Sequence, residues 1–305
     1  MRKVLVTGGA GFIGSHLCEA LLRERYEVCV LDDLSAGRRA YVPRAARFVE
    51  LDVRSPKVAR VVAELKPDYV CHLAAQRSAT HSQADPAGDA SVNIVGSLNL
   101  LQACRELNLA KFLFVSTCAV FFEPRHLPAP EDAPVSPAYP YGMSKHTVER
   151  YLESFGSFYG VPWVVVRFPN VYGPRQNAAS EGGVVAIFSR QLLAGEPLAI
   201  TGRGEQTRDF IYVTDAAAGT VAALERGDGI FHISTASELS VRELAVQLGA
   251  AAGTVPQVRY VGARPGDVPR ISLANTRAVR ELGWQPRVSL ADGLAATLAW
   301  FRDEG

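Results

Sequence analysis

Two short strings in this 305-residue chain carry chemistry: Tyr141-Gly-Met-Ser-Lys145 and Thr7-Gly8-Gly9-Ala10-Gly11-Phe12-Ile13-Gly14. A phenol titrates near ~10, too high for a base at neutral pH, and a neighbouring cation stabilises its charged form. Residues four apart on a helix share a face, so Lys145 stands beside Tyr141. Pro140, directly before Tyr141, marks the start of that helix. Thr117 closes the apolar run from Phe112 to Ser116 and sets a hydroxyl at a strand's carboxyl edge, where it can hydrogen-bond a reacting alcohol. Plainer readings exist: a helix-surface pair for Tyr141 and Lys145, a strand-end cap for Thr117. Gly8, Gly11 and Gly14 stand between a strand pattern and a helix pattern, where backbone N–H groups and the positive helix end cradle a pyrophosphate. An enzyme that oxidises an alcohol with a nicotinamide needs both strings.

These residues have to be positioned by something, and the hydrophobic pattern says what. Lys3 to Thr7, Glu27 to Leu31, Arg47 to Leu51, Tyr69 to Leu73, Lys111 to Ser116 and Trp163 to Arg167 read as strands. Gly14 to Arg25, Pro56 to Lys66, Ala87 to Asn108 and Tyr141 to Tyr159 carry apolar residues at spacings of three and four, as helices do. Val164-Val165-Val166 and Phe112-Leu113-Phe114-Val115 are continuously apolar, the mark of strands buried on both faces. The expected fold is α/β, a Rossmann-type doubly wound parallel sheet over residues 1–169, with segments that return to it later. From 170 to 305 the pattern breaks into Gly- and Pro-punctuated loops, expected to form a smaller α/β substrate lobe on the strand ends.

Bulk properties narrow the partners. Lys plus Arg total 32 against 31 for Asp plus Glu, so no basic field exists to draw nucleic acid or a membrane surface. No apolar run approaches the ~20 residues a bilayer requires, and Met1-Arg2-Lys3 leads directly into Val-Leu-Val without a signal-peptide plan. A cytoplasmic protein acting on a small molecule is the expectation. Cys18, Cys29, Cys71, Cys104 and Cys118 are odd in number and lack metal-ligand spacing, so free, mostly buried thiols and no metal are expected.

The strand after the glycine turn ends at Asp32, close to the ~20-residue offset at which a carboxylate accepts ribose hydroxyls. That carboxylate disfavours a 2′-phosphate and points to NAD rather than NADP, with Asp32, Asp33 and Leu34 at the adenosine ribose. Arg38 and Arg39 argue mildly the other way and are read as a solvated loop. Asp52, followed by Val53, can reach the adenine edge or cap the helix that begins near Pro56.

Taken together, the chain resembles the extended short-chain dehydrogenase/reductase family over essentially its whole length, and within it the UDP-glucose (UDP-galactose) 4-epimerases. The strings that carry the resemblance are the glycine turn, His72-Leu-Ala-Ala75, Tyr141-Gly-Met-Ser-Lys145, Asn170-Val-Tyr-Gly-Pro-Arg-Gln176, Gly183-Val-Val-Ala-Ile-Phe188, Gly204-Glu-Gln-Thr-Arg-Asp-Phe-Ile-Tyr212 and Arg264-Pro-Gly-Asp267. The resemblance implies that Leu73, Ala74, Ala75, Arg77 and Asn93 line the NAD diphosphate and nicotinamide ribose, with Ser116 and Phe168 near the nicotinamide. It implies that Asn170, Val184, Thr201, Arg208, Arg264 and Asp267 hold a UDP-sugar, the arginines on its diphosphate, whose oxygens suit a guanidinium fork. It also implies a homodimer through the helices around Ala87 to Asn108 and Tyr141 to Tyr159.

The implied reaction is reversible C4 epimerisation through a transient 4-keto sugar, Tyr141 taking the proton of the 4-hydroxyl. Related 4,6-dehydratases carry an Asp-Glu pair after the Thr117 position. This chain has Cys118-Ala119, so elimination lacks its acid and base. Departures from the family pattern are Phe121-Phe122 in place of Tyr-Gly and Ala274 in place of Asp. Small Ser272 or aliphatic Ile271 leaves N-acetylhexosamines open as substrates, and uronic acids also remain open. The alternatives in other classes are an NAD-dependent nucleotide-sugar dehydrogenase or reductase, and a sensor that has lost catalysis.

Overall fold

The computed structural model describes residues 1–178, 183–262 and 268–304. Its strands are β1 (Lys3–Thr7), β2 (Glu27–Asp32), β3 (Arg47–Glu50), β4 (Tyr69–His72), β5 (Lys111–Thr117), β6 (Trp163–Phe168), β7 (Asn170–Tyr172), β8 (Leu198–Thr201), β9 (Thr207–Arg208), β10 (Phe210–Tyr212), β11 (Gly229–His232), β12 (Leu239–Ser240) and β13 (Val258–Val261). Its α-helices are α1 (Phe12–Arg23), α2 (Lys57–Leu65), α3 (Ala79–Ala84), α4 (Pro86–Ala90), α5 (Gly96–Cys104), α6 (Pro140–Tyr159), α7 (Val184–Leu193), α8 (Val213–Arg226), α9 (Val241–Ala252), α10 (Thr276–Leu282) and α11 (Leu290–Glu304).

Seven parallel strands form the central sheet in the order β11-β6-β5-β4-β1-β2-β3. From β1 the chain first builds outward through β2 and β3, then returns to the other side for β4, β5 and β6. At such a reversal the connections leave on opposite faces, and a crevice opens beyond the strands' carboxyl ends. Alternation along β1 shows why these strands read as continuously apolar. Val4 and Val6 join one buried cluster with Leu17 and Leu21 of α1 and Val221 of α8. Leu5 joins the other, with Val58 of α2, Leu100 of α5, and Val148 and Leu152 of α6. Each buried side chain of this kind contributes about 1.5–3 kcal/mol, enough for both faces to exclude polar residues.

The helix α6 that carries Tyr141 and Lys145 starts with Pro140 in its first turn and ends at Gly160, whose φ of +67° closes it in the left-handed region. Its inner stripe of Ser144, Lys145, Val148, Leu152 and Phe155 is buried. The segment expected as one helix from Ala87 to Asn108 is instead broken. A π-helical turn at Ser91–Val95 separates α4 from α5, and the helix ends at Cys104. The extra residue in that turn rotates Asn93 into the interior, which a regular 3.6-residue period does not anticipate.

Beyond Asn170 a separate apolar cluster of Tyr172, Phe188, Leu198, Ile200, Leu244 and Leu298 joins α7, α9 and α11 with the strand pairs β7–β10, β8–β13 and β9–β12. The segments that return to the main sheet are α8, β11 and α10.

Candidate active site

A cavity of about 1050 Å³ lies across the carboxyl ends of the central strands, lined at one end by the β1–α1 turn and at the other by Thr117, Tyr141 and Lys145. The turn is shaped by what its glycines lack. Gly8 has a φ of +72°, and a Cβ there would stand 2.7 Å from the backbone nitrogen of Ala74. A Cβ on Gly14 would stand 2.1 Å from the Gly8 carbonyl oxygen. With these contacts closed, Gly8, Gly11, Phe12, Ile13 and Gly14 line the cavity. The N–H groups at the start of α1 have no acceptor within the helix, so they face a ligand.

Asp32 terminates β2 with its carboxylate half-committed. Oδ2 accepts from the Ala10 N–H at 2.9 Å and Oδ1 from the Leu34 N–H at 2.9 Å. Burial pushes its acid above the ordinary value against those two hydrogen bonds. Asp32 and Asp33 line the cavity, while Leu34, with a φ of +59°, contributes its backbone to that turn. A Cβ-free cradle followed by a carboxylate fits a dinucleotide with free ribose hydroxyls, which is NAD.

Arg38 is an exposed loop residue, as read, but its backbone is tied down. Its N–H donates to the Ala10 carbonyl at 3.0 Å, and Gly37 packs so closely on Ala10 that a Cβ would lie 2.8 Å from its carbonyl carbon. The loop is thereby clamped to the glycine turn, and Arg38 and Tyr41 line the cavity. Arg39 points elsewhere, 4.5 Å over the Phe48 ring. Asp52 and Val53 also line the cavity, but Asp52 caps no helix: its carboxylate accepts from the N–H and guanidinium of Arg54, and α2 begins after Pro56 without a side-chain cap.

Leu73, Ala74, Ala75 and Arg77 form the wall after β4, with Ser116, Phe168 and Asn170 opposite. Asn93 lies behind that wall rather than on it. Its amide exchanges hydrogen bonds with the Gln76 backbone, accepting at 2.8 Å and donating at 2.9 Å, and also donates to Asp89 and Ser144. Asn93 therefore braces the Gln76–Arg77 turn.

Tyr141, Thr117 and Lys145 come together as their spacing requires. Thr117 does two things: its Oγ1 accepts from the Ala119 N–H at 3.1 Å, the cap of a short turn, and its side chain lies close enough to the Tyr141 phenol to ease its ionisation. Burial pushes the Tyr141 phenol up to about 12, opposed by Thr117 and by the positive charge of Arg77. Burial pulls Lys145 down to about 7, opposed by Glu149 and Asp89. Its Nζ lies 4.1 Å over the Phe114 ring. Thr117 and Arg77 thus ease Tyr141 toward the phenolate.

Other expectations fare differently. Gly183 lines the cavity and Val184 follows it as the first residue of α7. Thr201 ends β8 off the cavity wall. Arg208 is also off the wall, donating to the carbonyls of Thr207 at 2.8 Å and Val268 at 2.7 Å, while its charge acts on the thiol of Cys118, next to Thr117. Arg264 and Asp267 lie outside the described residues. Ile271 and Ser272 are buried away from the cavity, Ile271 among Val120, Phe121 and Leu273, so neither bounds it. Phe121, one of the departures, packs its ring 5.2 Å from the Arg167 guanidinium.

Two groups escaped the sequence reading. Arg175 lines the cavity with a φ of +71°. Its Nη2 pairs with Glu19 at 2.5 Å, and its Nη1 is buried without a partner, an arrangement suited to a phosphate oxygen. Beneath Lys145, Glu149 is buried against Arg167 and Ser116. The only signal for Arg175 was its place in the Gly-Pro-Arg string, and Glu149 reads as one more helix carboxylate.

The model of the NAD dependent epimerase/dehydratase family matches residues 4–234. The UDP-glucose 4-epimerase of Mycolicibacterium smegmatis is 41% identical over 310 residues, covering 99% of both chains. A crystal structure of UDP-glucose 4-epimerase from Thermotoga maritima with UDP-glucose is 41% identical, with a TM-score of 0.97 over 99% of both chains. The Thermus thermophilus UDP-glucose 4-epimerase in complex with NAD is likewise 41% identical over 99% of both, with a TM-score of 0.94. With its glycine cradle, the Asp32 carboxylate and its Thr117, Tyr141 and Lys145 in one cavity, this chain belongs to the NAD dependent epimerase/dehydratase family.

Proposed function

We propose that this protein is an NAD-dependent UDP-hexose 4-epimerase that interconverts UDP-glucose and UDP-galactose. The carrying observation is that Tyr141, Thr117 and Lys145 line one cavity with the dinucleotide cradle, and that among the described residues lining it the carboxylates are Asp32, Asp33 and Asp52, all at the ribose end. Dehydration needs an acid and a base at the sugar. The full-length similarity to UDP-glucose 4-epimerases supports the same reading.

In this reading Tyr141 removes the proton of the sugar 4-hydroxyl, assisted by Thr117, and later returns it, while Lys145 holds positive charge beneath them. NAD, when bound, supplies a hydride acceptor that stays with the enzyme through the cycle. Gly8, Gly11, Phe12, Ile13 and Gly14 hold its diphosphate. Asp32, Asp33 and Leu34 hold the adenosine ribose, with Asp52 and Val53 at the adenine. Leu73, Ala74, Ala75, Arg77, Ser116 and Phe168 line the nicotinamide half. Asn170 and Val184 hold the UDP-sugar from the side of the lobe built on α7, α9 and α11, with Thr201 and Arg208 behind the wall; Arg264 and Asp267 are proposed as further contacts.

Incubation with UDP-galactose, without added reductant, is expected to yield UDP-glucose with NAD retained on the protein. UDP-N-acetylgalactosamine and UDP-glucuronate run alongside it. Absence of C4 epimer from all three would sink the reading, and turnover only with added NAD in stoichiometric amounts would favour a dehydrogenase.

The enzyme is proposed to act as a homodimer in the cytoplasm. Val95, beside α5, and Met143, Tyr151, Phe158 and Tyr159 of α6 leave apolar surface exposed, with Phe158 80% accessible. Such a surface is suited to pairing with its own copy. Phe158→Glu is expected to convert the dimer to a monomer in light scattering after size exclusion; an unchanged mass would remove this face from the interface. Five free thiols, four of them buried, suit a reducing compartment.

A further inference from the structure

We propose that Glu149 is a positioning residue for the catalytic pair, keeping the Lys145 ammonium charged and pinning Ser116 beside it. The two side chains are one helical turn apart on the inner stripe of α6, and both are almost wholly buried, Lys145 at 3% and Glu149 at 1% exposure. A lone ammonium in such a site loses its proton. Glu149, one turn along the same helix, supplies a compensating charge, and it is held in place from three sides. Its Oε1 accepts from Ser116 Oγ at 2.5 Å and from Arg167 Nε at 2.9 Å, and its Oε2 from Arg167 Nη2 at 2.7 Å, with His146 Nδ1 at 3.2 Å. Burial alone would raise the Glu149 acid, but the bonds from Arg167, His146 and Ser116 outweigh it and hold it at about 2. The carboxylate is therefore permanently charged, and Arg167, itself locked over Phe121, keeps it so.

The other groups facing Lys145 do not replace it. Asp89 of α4 adds a second negative charge but shares its Oδ1 with Gln76 and Asn93. His72 of β4 lies between Thr7 and Ser97, and burial and the Lys145 charge hold it at about 3, hence neutral. Phe114 offers a ring face only, and Tyr141 is neutral until it reacts. A buried pair of this kind can also be mere scaffolding that ties α6 to β5 and β6, and scaffolding predicts lost stability with no change in Lys145.

The test separates the two and does not depend on which sugar is the substrate. Lys145 lines the cavity, so its reactivity toward a small acylating reagent can be followed against pH by peptide mass spectrometry on the full-length protein. Glu149→Gln removes the charge and should lower the Lys145 midpoint by about one pH unit or more. The alkaline limb of kcat should move by the same amount in the same direction, because the protonated amine is the active form. Glu149→Asp keeps the charge and should leave the midpoint near wild type. If Glu149→Gln fails to fold because Arg167 is left unpaired, the double variant Glu149→Gln with Arg167→Gln is compared with Arg167→Gln alone, so that the lost guanidinium cancels and the Lys145 midpoint should again fall. A midpoint unchanged in either comparison overturns the proposal. The acylation readout still tests this role if the wild type turns over no UDP-sugar, whereas that result overturns only the epimerase reading.

Discussion

Tyr141→Phe is expected to lower kcat by about 10²–10⁴-fold, the usual contribution of a positioned acid–base group, while the fold and the bound NAD are retained. The change removes one oxygen and little else. The Tyr141 ring keeps its place because the backbone fixes it: its N–H donates to Ser82 Oγ at 3.2 Å, and α6 is anchored by Val148, Leu152 and Phe155 below. What disappears is the hydroxyl beside Thr117, the atom proposed to exchange the sugar's proton. The phenol is also expensive to ionise, since burial pushes it to about 12. Thr117 and Arg77 work against that, so no single partner carries the activation. Rates on UDP-galactose, a thermal melt and the absorbance of retained nicotinamide check the three parts separately. Activity within a few-fold of wild type would remove Tyr141 from the role of base.

Those three residues were legible in the sequence because their geometry is local or nearly so. A spacing of four on a helix and a hydroxyl at a strand end survive almost any tertiary arrangement. The strands were legible for a related reason: with both sheet faces covered, Phe112 to Val115 and Val164 to Val166 carry no polar interruption to confuse the pattern. The seventh sheet strand, Gly229–His232, was not read. It is four residues long, opens on a glycine with a φ of +78°, and packs at the sheet edge beside β6. The helix break at Ser91–Val95 was invisible because a π turn keeps every apolar residue and shifts only their phase.

Roles that depend on long-range burial were the least legible. Arg38 follows Asp33 in a stretch of small and charged residues, and only the packing of Gly37 on Ala10 draws its backbone onto the glycine turn, where it borders the cavity. Glu149 stands at an ordinary i+4 spacing from Lys145, as a solvated surface pair would. Its meaning comes from Arg167 and Ser116, eighteen and thirty-three residues away on neighbouring strands. Asn93 was expected on the cavity wall, and its amide instead meets the Gln76 backbone behind it, since the π turn that aims it was not foreseen. The substrate half was read from family strings alone, and there Thr201 and Arg208 stand off the cavity wall.

Gly14→Ala is expected to weaken NAD binding by about 100-fold or more and to lower the melting temperature, although alanine is the better helix former by about 1 kcal/mol. Gly14 sits in the first turn of α1, so its backbone would accept alanine without strain. The obstacle is distance. The new Cβ would lie 2.1 Å from the Gly8 carbonyl oxygen and 2.8 Å from the Gly9 Cα, both main-chain atoms of the cradle itself. No side chain can swing away to relieve them, so either α1 lifts off the turn or the turn opens, and each removes the N–H groups from the diphosphate. Gly160→Ala is the control. That glycine has a φ of +67° with nothing within 4 Å of where the alanine methyl would stand, so it should lose only about 1 kcal/mol of stability and no affinity. Calorimetric titration of NAD into protein stripped of cofactor distinguishes the two variants, and equal affinities would mean that the glycine contact does not shape the cradle.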